Sequence, residues 1–180
     1  MRLIPGVVTV LLLMFPAIAR GQTWMVHGAA GPTVTDSGYS LAAGAGFSPT
    51  SRLTILFNAE RTHLSSRFRT YPEGFTSAFR GGTLTLVTGE MRFAILGRHR
   101  VGPYVLTGVA AGVSRPNVTP IFPTPVTNQV LASFFGAGIR VPLGDKVAVF
   151  ADARMMLAFG TDSDELIAVV PIRGGIAWHF

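Results

Sequence analysis

The sequence predicts an all-β protein. It reads as a single eight-stranded antiparallel up-and-down transmembrane β-barrel over residues 22–180, behind an N-terminal signal peptide over residues 1–21. Three observations predict this. Apolar residues alternate with polar ones instead of recurring at helical spacing. Charged residues make up only 13% of the 180-residue chain and hydrophobic ones 48%, against roughly 25% charged in an ordinary soluble domain, so there are too few charges to cover a water-facing surface. Short connections alternate with longer ones, as in a barrel with tight turns on one side of a membrane and loops on the other.

The leader comes first. Met1 and Arg2 form a short positive start, the stretch from Ile4 to Ile18 is almost wholly apolar, and Ala17-Ile18-Ala19 supplies the small-x-small pattern of a cleavage site. Cleavage after Ala19 or after Gly21 fits equally. The apolar run is shorter than the ~20 residues of a spanning helix. Gly, Pro or charged residues interrupt every later apolar run, so no transmembrane helix is predicted.

Eight strands follow, over 22–30, 38–48, 51–62, 80–96, 100–114, 127–142, 145–159 and 164–180. In the third, Leu53, Ile55, Phe57 and Ala59 share one face; Arg52, Thr54, Asn58 and Glu60 share the other, with Leu56 as an exception. In the seventh, Val147, Val149, Ala151, Ala153, Met155 and Leu157 oppose Lys146, Asp152 and Arg154. In the eighth, Ala168, Val170, Ile172, Ile176, Trp178 and Phe180 oppose Arg173, Gly175 and His179. The fourth is less regular: Leu84 and Leu86 fall on the parity of Glu90 and Arg92, which suggests a bulge near Gly89. Tight turns are expected around Pro49-Thr50, Gly97-Arg98-His99 and Leu143-Gly144-Asp145. Mostly longer connections are expected at 31–37, 63–79, 115–126 and 160–163.

Physics decides which face is outside. In lipid every backbone group must be paired within the protein, so a spanning sheet closes on itself. Its exterior is apolar and its charges turn inward, because a Lys or Arg facing lipid at mid-bilayer costs roughly 2–4 kcal/mol. A soluble barrel reverses the arrangement and would need far more exterior charge than these strands carry. Glu60, Glu90, Arg92, Arg140, Asp152, Arg154 and Arg173 all lie on the polar parity. They are expected to form a paired charge network that plugs a narrow lumen.

Charge and composition exclude other classes. The formal net charge is +6. Arg2 and Arg20 lie in the leader, so thirteen basic and nine acidic residues remain, a mild and dispersed excess of four that does not make a nucleic-acid-binding stripe. There is no cysteine, hence neither a disulfide framework nor a thiolate site. His27, His63, His99 and His179 lack metal-ligand spacing, and phosphate-loop, dinucleotide and G-x-S-x-G motifs are absent. No cofactor and no metal is expected.

The last eight residues, Arg173-Gly174-Gly175-Ile176-Ala177-Trp178-His179-Phe180, resemble the terminal-strand signal of bacterial outer-membrane proteins. Arg173, Gly175, Trp178 and Phe180 occupy its four defined positions. The resemblance implies recognition by the barrel assembly machinery. Gly102-Pro103-Tyr104-Val105 with Gly108 and Gly112, and Phe150-Ala151-Asp152-Ala153-Arg154, resemble patterns of the small porin-like outer-membrane β-barrel domain family, along the whole of 22–180. That resemblance implies a Gram-negative cell-envelope protein of the outer membrane, structural or surface-interacting, that works as a monomer among outer-membrane lipid and lipopolysaccharide.

Two further groups of residues bear on function. Arg61, Arg67, Arg69 and Arg80 lie in or beside the 63–79 connection with Phe68, Tyr71 and Phe75 and a lone acid, Glu73. They suit an outer-rim contact with lipopolysaccharide phosphates. His63-Leu64-Ser65, with Glu73 as orienter, resembles the His-x-Ser of outer-membrane lipid A deacylases. That family carries the triplet in later strands with different flanks, so the expectation is a protein without enzymatic activity; a narrow solute pore is the principal alternative and a lipid A-modifying hydrolase a weaker one. Trp24, Tyr39, Phe47, Phe93, Tyr104, Phe159, Trp178 and Phe180 lie near strand ends and are expected to form interfacial aromatic girdles.

Overall fold

The structure is a computed structural model that describes residues 23–180 apart from 35–36, 71–75, 80, 98, 119–122, 125 and 162–165; the side chains of 67–70 and 76–79 also lie outside the description. The expected signal peptide and its cleavage site fall outside the described residues. Among the described residues there are eleven strand segments: β1 (Thr23–Thr33), β2 (Gly38–Ser48), β3 (Leu53–Leu64), β4 (Arg67–Thr70), β5 (Thr76–Phe79), β6 (Gly82–Ala94), β7 (Gly102–Pro116), β8 (Asn128–Pro142), β9 (Val147–Gly160), β10 (Leu166–Val169) and β11 (Ile172–His179).

Antiparallel pairing runs β1–β2–β3–β6–β7–β8–β9, and β10 and β11 both pair with β9. The two short segments keep one register, with Val169 opposite Met156 and Ile172 opposite Ala153. They are one eighth strand, interrupted at Val170-Pro171 because proline has no N–H for the ladder. The Pro171 carbonyl still accepts from the Arg154 N–H at 3.2 Å. β11 then pairs with β1 and closes the barrel. Reciprocal Trp24–Phe180 backbone bonds of 3.1 and 3.0 Å extend that seam. Closure removes every edge of the main sheet, which is the condition for crossing lipid.

The chain turns tightly at 49–52, 95–101 and 143–146. Gly97 (φ 84°) and Gly144 (φ 127°) supply the left-handed backbone at two of these turns. We call this the turn end and the opposite one the loop end. Two expectations about the connections are corrected. β1 runs on through Gly31-Pro32 to Thr33, so the first loop-end connection is short. The 63–79 connection carries its own hairpin, β4–β5, with Arg67 opposite Phe79.

The bulge expected near Gly89 is absent. β6 keeps an unbroken register against β3 from Leu53–Phe93 to Leu64–Gly82 and against β7 from Gly82–Pro116 to Ala94–Tyr104. Leu84 and Leu86 share the parity of Glu90 and Arg92 because all four face inward, and the two leucines are 1% and 2% exposed. The interior is therefore layered. Leu64, Leu84, Leu86, Val130, Met156 and Val169 pack its loop-end part, and charged groups lie deeper.

The outer face is apolar over its middle. Val26, Leu41, Phe57, Val87, Val109, Leu131, Phe135, Met155 and Ile176 are all exposed. This is the inverse of a soluble barrel. The burial pattern makes physical sense only if hydrocarbon covers these side chains.

Candidate functional site

Six inward-facing residues meet in the middle of the lumen. β3 supplies Glu60, β6 Glu90 and Arg92, β9 Asp152 and Arg154, and β11 Arg173. Alternation puts each pair on one strand two residues apart and on the same face. Arg154 lies at the centre: its Nη1 is 3.3 Å from Glu60 Oε2, its Nη2 2.8 Å from Glu90 Oε2 and its Nε 3.9 Å from Asp152 Oδ1. Arg173 joins Glu60 Oε2 and Asp152 Oδ1, each at 3.1 Å. Arg92 pairs with Glu90 through Nε and places Nη2 3.6 Å from Asp152 Oδ2. Three carboxylates thus meet three guanidinium groups. The side chains of all but Arg92 are wholly excluded from the surface.

A neutral polar shell completes the network. Ser40 donates to Glu60 Oε1 at 3.2 Å, and Thr62 donates to Ser40 at 3.2 Å. The Asn58 amide donates to Thr88 at 3.0 Å and to Glu90 at 3.4 Å, while its carbonyl accepts from His27 Nε2 at 2.6 Å. The Tyr104 hydroxyl donates to Asp152 at 3.1 Å. Three rings cover two of the cations. The Arg154 guanidinium lies 4.7 Å from the Phe134 centroid, and that of Arg92 lies 4.6 Å from Phe150 and 5.3 Å from Tyr104, positions that favour cation–π attraction. Room for them comes from glycine: a Cβ on Gly175 would lie 2.4 Å from Phe150 Cζ, and one on Gly138 would lie 2.6 Å from Tyr104 Cζ.

No family model matches the chain, and no curated protein is similar to it in sequence. Solved structures are similar in fold. The N-terminal β-barrel domain of Pseudomonas aeruginosa OprF superposes with a TM-score of 0.59 at 12% identity, over 88% of this chain and 97% of that one. Neisserial surface protein A superposes with 0.53 at 12% identity, over 88% and 96%. Ail, the attachment invasion locus protein of Yersinia pestis in complex with the heparin analogue sucrose octasulfate, gives 0.51 at 14% identity, over 88% and 98%. This chain has the fold of the small outer-membrane β-barrels. At such identities the likeness is one of fold alone. That fold, closed and apolar outside, belongs in an outer membrane.

The remaining expected site residues fall in different places on this outer-membrane barrel. Arg140, expected in the charge network, stands apart from it at the turn end, where its Nη2 donates to His179 Nε2 at 3.0 Å. The register explains this: Arg140 lies opposite Phe150, whereas Gly136 and Gly138 lie opposite Arg154 and Asp152. Arg173 belongs to the lumen network, Gly175 makes room for Phe150, and Trp178 and Phe180 lie outside, 51% and 67% exposed. Arg61 is exposed on the outer face near the loop end of β3. Arg67 and Arg69 lie on β4, but their side chains, like Phe68, are not described; Arg80, Tyr71, Glu73 and Phe75 lie outside the described residues.

The His63–Ser65 pair does not assemble. His63 Nδ1 is 3.2 Å from Thr83 Oγ1, and Ser65 donates to the Ser37 carbonyl at 2.6 Å, so the serine hydroxyl is directed at a backbone oxygen instead of a base. Among the described residues no group of three His, Asp or Glu side chains is placed to hold a metal.

Tyr104 corrects the girdle expectation. It is 3% exposed and points into the lumen, while Tyr39, Phe93, Phe159, Trp178 and Phe180 lie outside. Its parity with Gly102 and Gly108 already indicated the inward face. Asn58, Thr62 and Thr88 were missed as site residues, although each shares the parity of a lumen acid on its own strand.

Proposed function

We propose that the chain is a non-enzymatic integral outer-membrane protein, monomeric, whose lumen is plugged by its own ion network and whose interactions take place at its surface. The observation that carries this reading is the bridging of Glu60, Glu90 and Asp152 by Arg154 and Arg173, beneath an apolar layer at the loop end. A passing ion would have to part buried charges from their partners, at a cost of about 3–5 kcal/mol for each pair broken. Refolded protein in planar bilayers is expected to give no reproducible single-channel steps. Stable steps whose size changes in Arg154→Ala would overturn the sealed lumen and favour the narrow pore.

The surface role falls to the loop end. There, we infer, Arg61, Arg67, Arg69 and Arg80 engage lipopolysaccharide phosphates. Two observations support this: Arg61 and Arg115 are exposed on the outer face, and among the described residues neither has an acidic partner. The Ail complex with a sulfated sugar is a parallel on the same fold. Arg173, Gly175, Trp178 and Phe180 serve as the assembly signal, on the strand that closes the barrel.

A further inference from the structure

Pairing sets two outward rows of β11, β1, β2 and β3 side by side. One row holds Ile176, Gly28, Ala43 and Ala59. The next, toward the loop end, holds Gly174, Ala30, Leu41 and Arg61. Gly28, Ala30, Ala43, Ala59 and Gly174 are exposed and floor a shallow groove of about 850 Å³ on the outer face, with Leu41, Ile176 and Arg61 beside them. Bulk returns in the following row toward the turn end, which carries Trp178, Val26 and Phe57. Glu60 borders the groove, but its side chain is wholly excluded from the surface. Among the described lining residues Arg61 alone therefore presents a charge to the outside. The packing of the barrel does not demand this hollow. A Cβ on Gly28 would meet nothing within 4 Å, and one on Gly174 would lie 3.9 Å from the Phe150 carbonyl oxygen, an ordinary contact. Gly175, by contrast, is needed to make room for the Phe150 ring. A larger apolar residue at Gly28 or Gly174 would be a better strand former and would suit hydrocarbon. Glycine inside a strand, where its own protein leaves space, marks the close approach of another group.

We propose that one acyl chain of a phosphate-bearing membrane lipid seats in this groove, with the lipid phosphate on Arg61. The proposal rests on the reading that Arg61 meets lipid phosphate and adds the chain; it does not need the arginines of the hairpin. Charge complementarity selects the occupant. Arg61 lies three residues from the loop end of β3, where its long side chain reaches the headgroup level, and a guanidinium binds phosphate through short, charge-assisted bonds. A smooth floor without projecting side chains lets a chain pack closely, and close packing is what favours one neighbour over bulk lipid in a membrane. A second copy of the barrel fits less well, because a two-fold axis along the membrane normal would bring Arg61 toward its own counterpart.

The test uses the full barrel refolded in an uncharged detergent, dipalmitoyl phosphatidic acid as the probe, and native mass spectrometry to count retained lipid. One bound lipid is expected. Gly28→Leu with Gly174→Leu, which fills the floor, should weaken retention about ten-fold, as should Arg61→Gln. Gly89→Leu is the control: it also has open space for a Cβ but lies off the groove, and retention should not change. Dipalmitoylglycerol, with the same chains and no phosphate, should bind the native barrel about ten-fold more weakly and be indifferent to Arg61→Gln. Because the added side chains meet open space, the glycine variants should fold, as heat-modifiable gel mobility would verify. Retention that falls in Arg61→Gln but not in the folded double glycine variant would overturn the groove while leaving the phosphate contact of Arg61 standing. Weakening by Gly89→Leu to the same extent, or a dimer that the double glycine variant dissociates, would also overturn it.

Discussion

Arg154 shows how much depends on single residues in this lumen. Its guanidinium reaches Glu60 and Glu90 at 3.3 and 2.8 Å, and water has no access to the pair. Arg154→Met would leave three carboxylates facing two guanidinium groups, Arg92 and Arg173, in a medium that cannot solvate the uncompensated charge. A loss of about 3–5 kcal/mol is expected, visible as a lower midpoint of urea unfolding from lipid vesicles. Adding Glu60→Gln alone to Arg154→Met should recover part of the loss, because it restores two carboxylates against two guanidinium groups and the penalty lies in the uncompensated charge. If Arg154→Met unfolds at the native midpoint, the network does not hold the barrel together.

A strand in this molecule has two faces under opposite rules. In β7, Val109 is 66% exposed while Ala110, the next residue, is 6% exposed. Lipid surrounds the first and protein the second. Val109 also lies midway along its strand, so Val109→Arg should cost roughly 2–4 kcal/mol of stability in a bilayer. Near-native unfolding of that variant in vesicles would mean that water, not hydrocarbon, covers the outer face. The eighth strand shows a different tolerance. Pro171 breaks its ladder, yet β10 and β11 keep the same register on β9, because the flanking pairs on both sides hold the alignment.

For the whole molecule, closure separates the membrane unit from what it displays. The β4–β5 hairpin pairs with itself and not with the barrel sheet, so the barrel does not depend on it for its ladder. Replacing Arg61, Arg67, Arg69 and Arg80 together by Gln should therefore leave heat-modifiable folding intact while reducing association with lipopolysaccharide. A folded variant that binds lipopolysaccharide as well as the native protein would remove the rim from the account.

The fold was legible in the sequence because a strand has a period of two and a membrane gives its two faces opposite chemistry. Alternation in Lys146–Leu157 or Leu53–Glu60 therefore reports both the element and its outer side. The readings that failed set parity aside for another cue. Tyr104 was assigned by its closeness to a strand end, and Leu84 and Leu86 by the assumption that a lumen is polar throughout. For Arg140 even parity was insufficient, since it gives the face and not the height along the barrel.

By itself, then, the sequence determined the strands, their order and which side chains turn inward, since each follows from local spacing and from the cost of exposing charge to hydrocarbon. Only the tertiary structure decided that Arg154 lies between Glu60 and Glu90 and that Arg140 lies apart with His179. Those contacts join residues up to 94 positions apart, and they are set by register and closure, which no local pattern encodes.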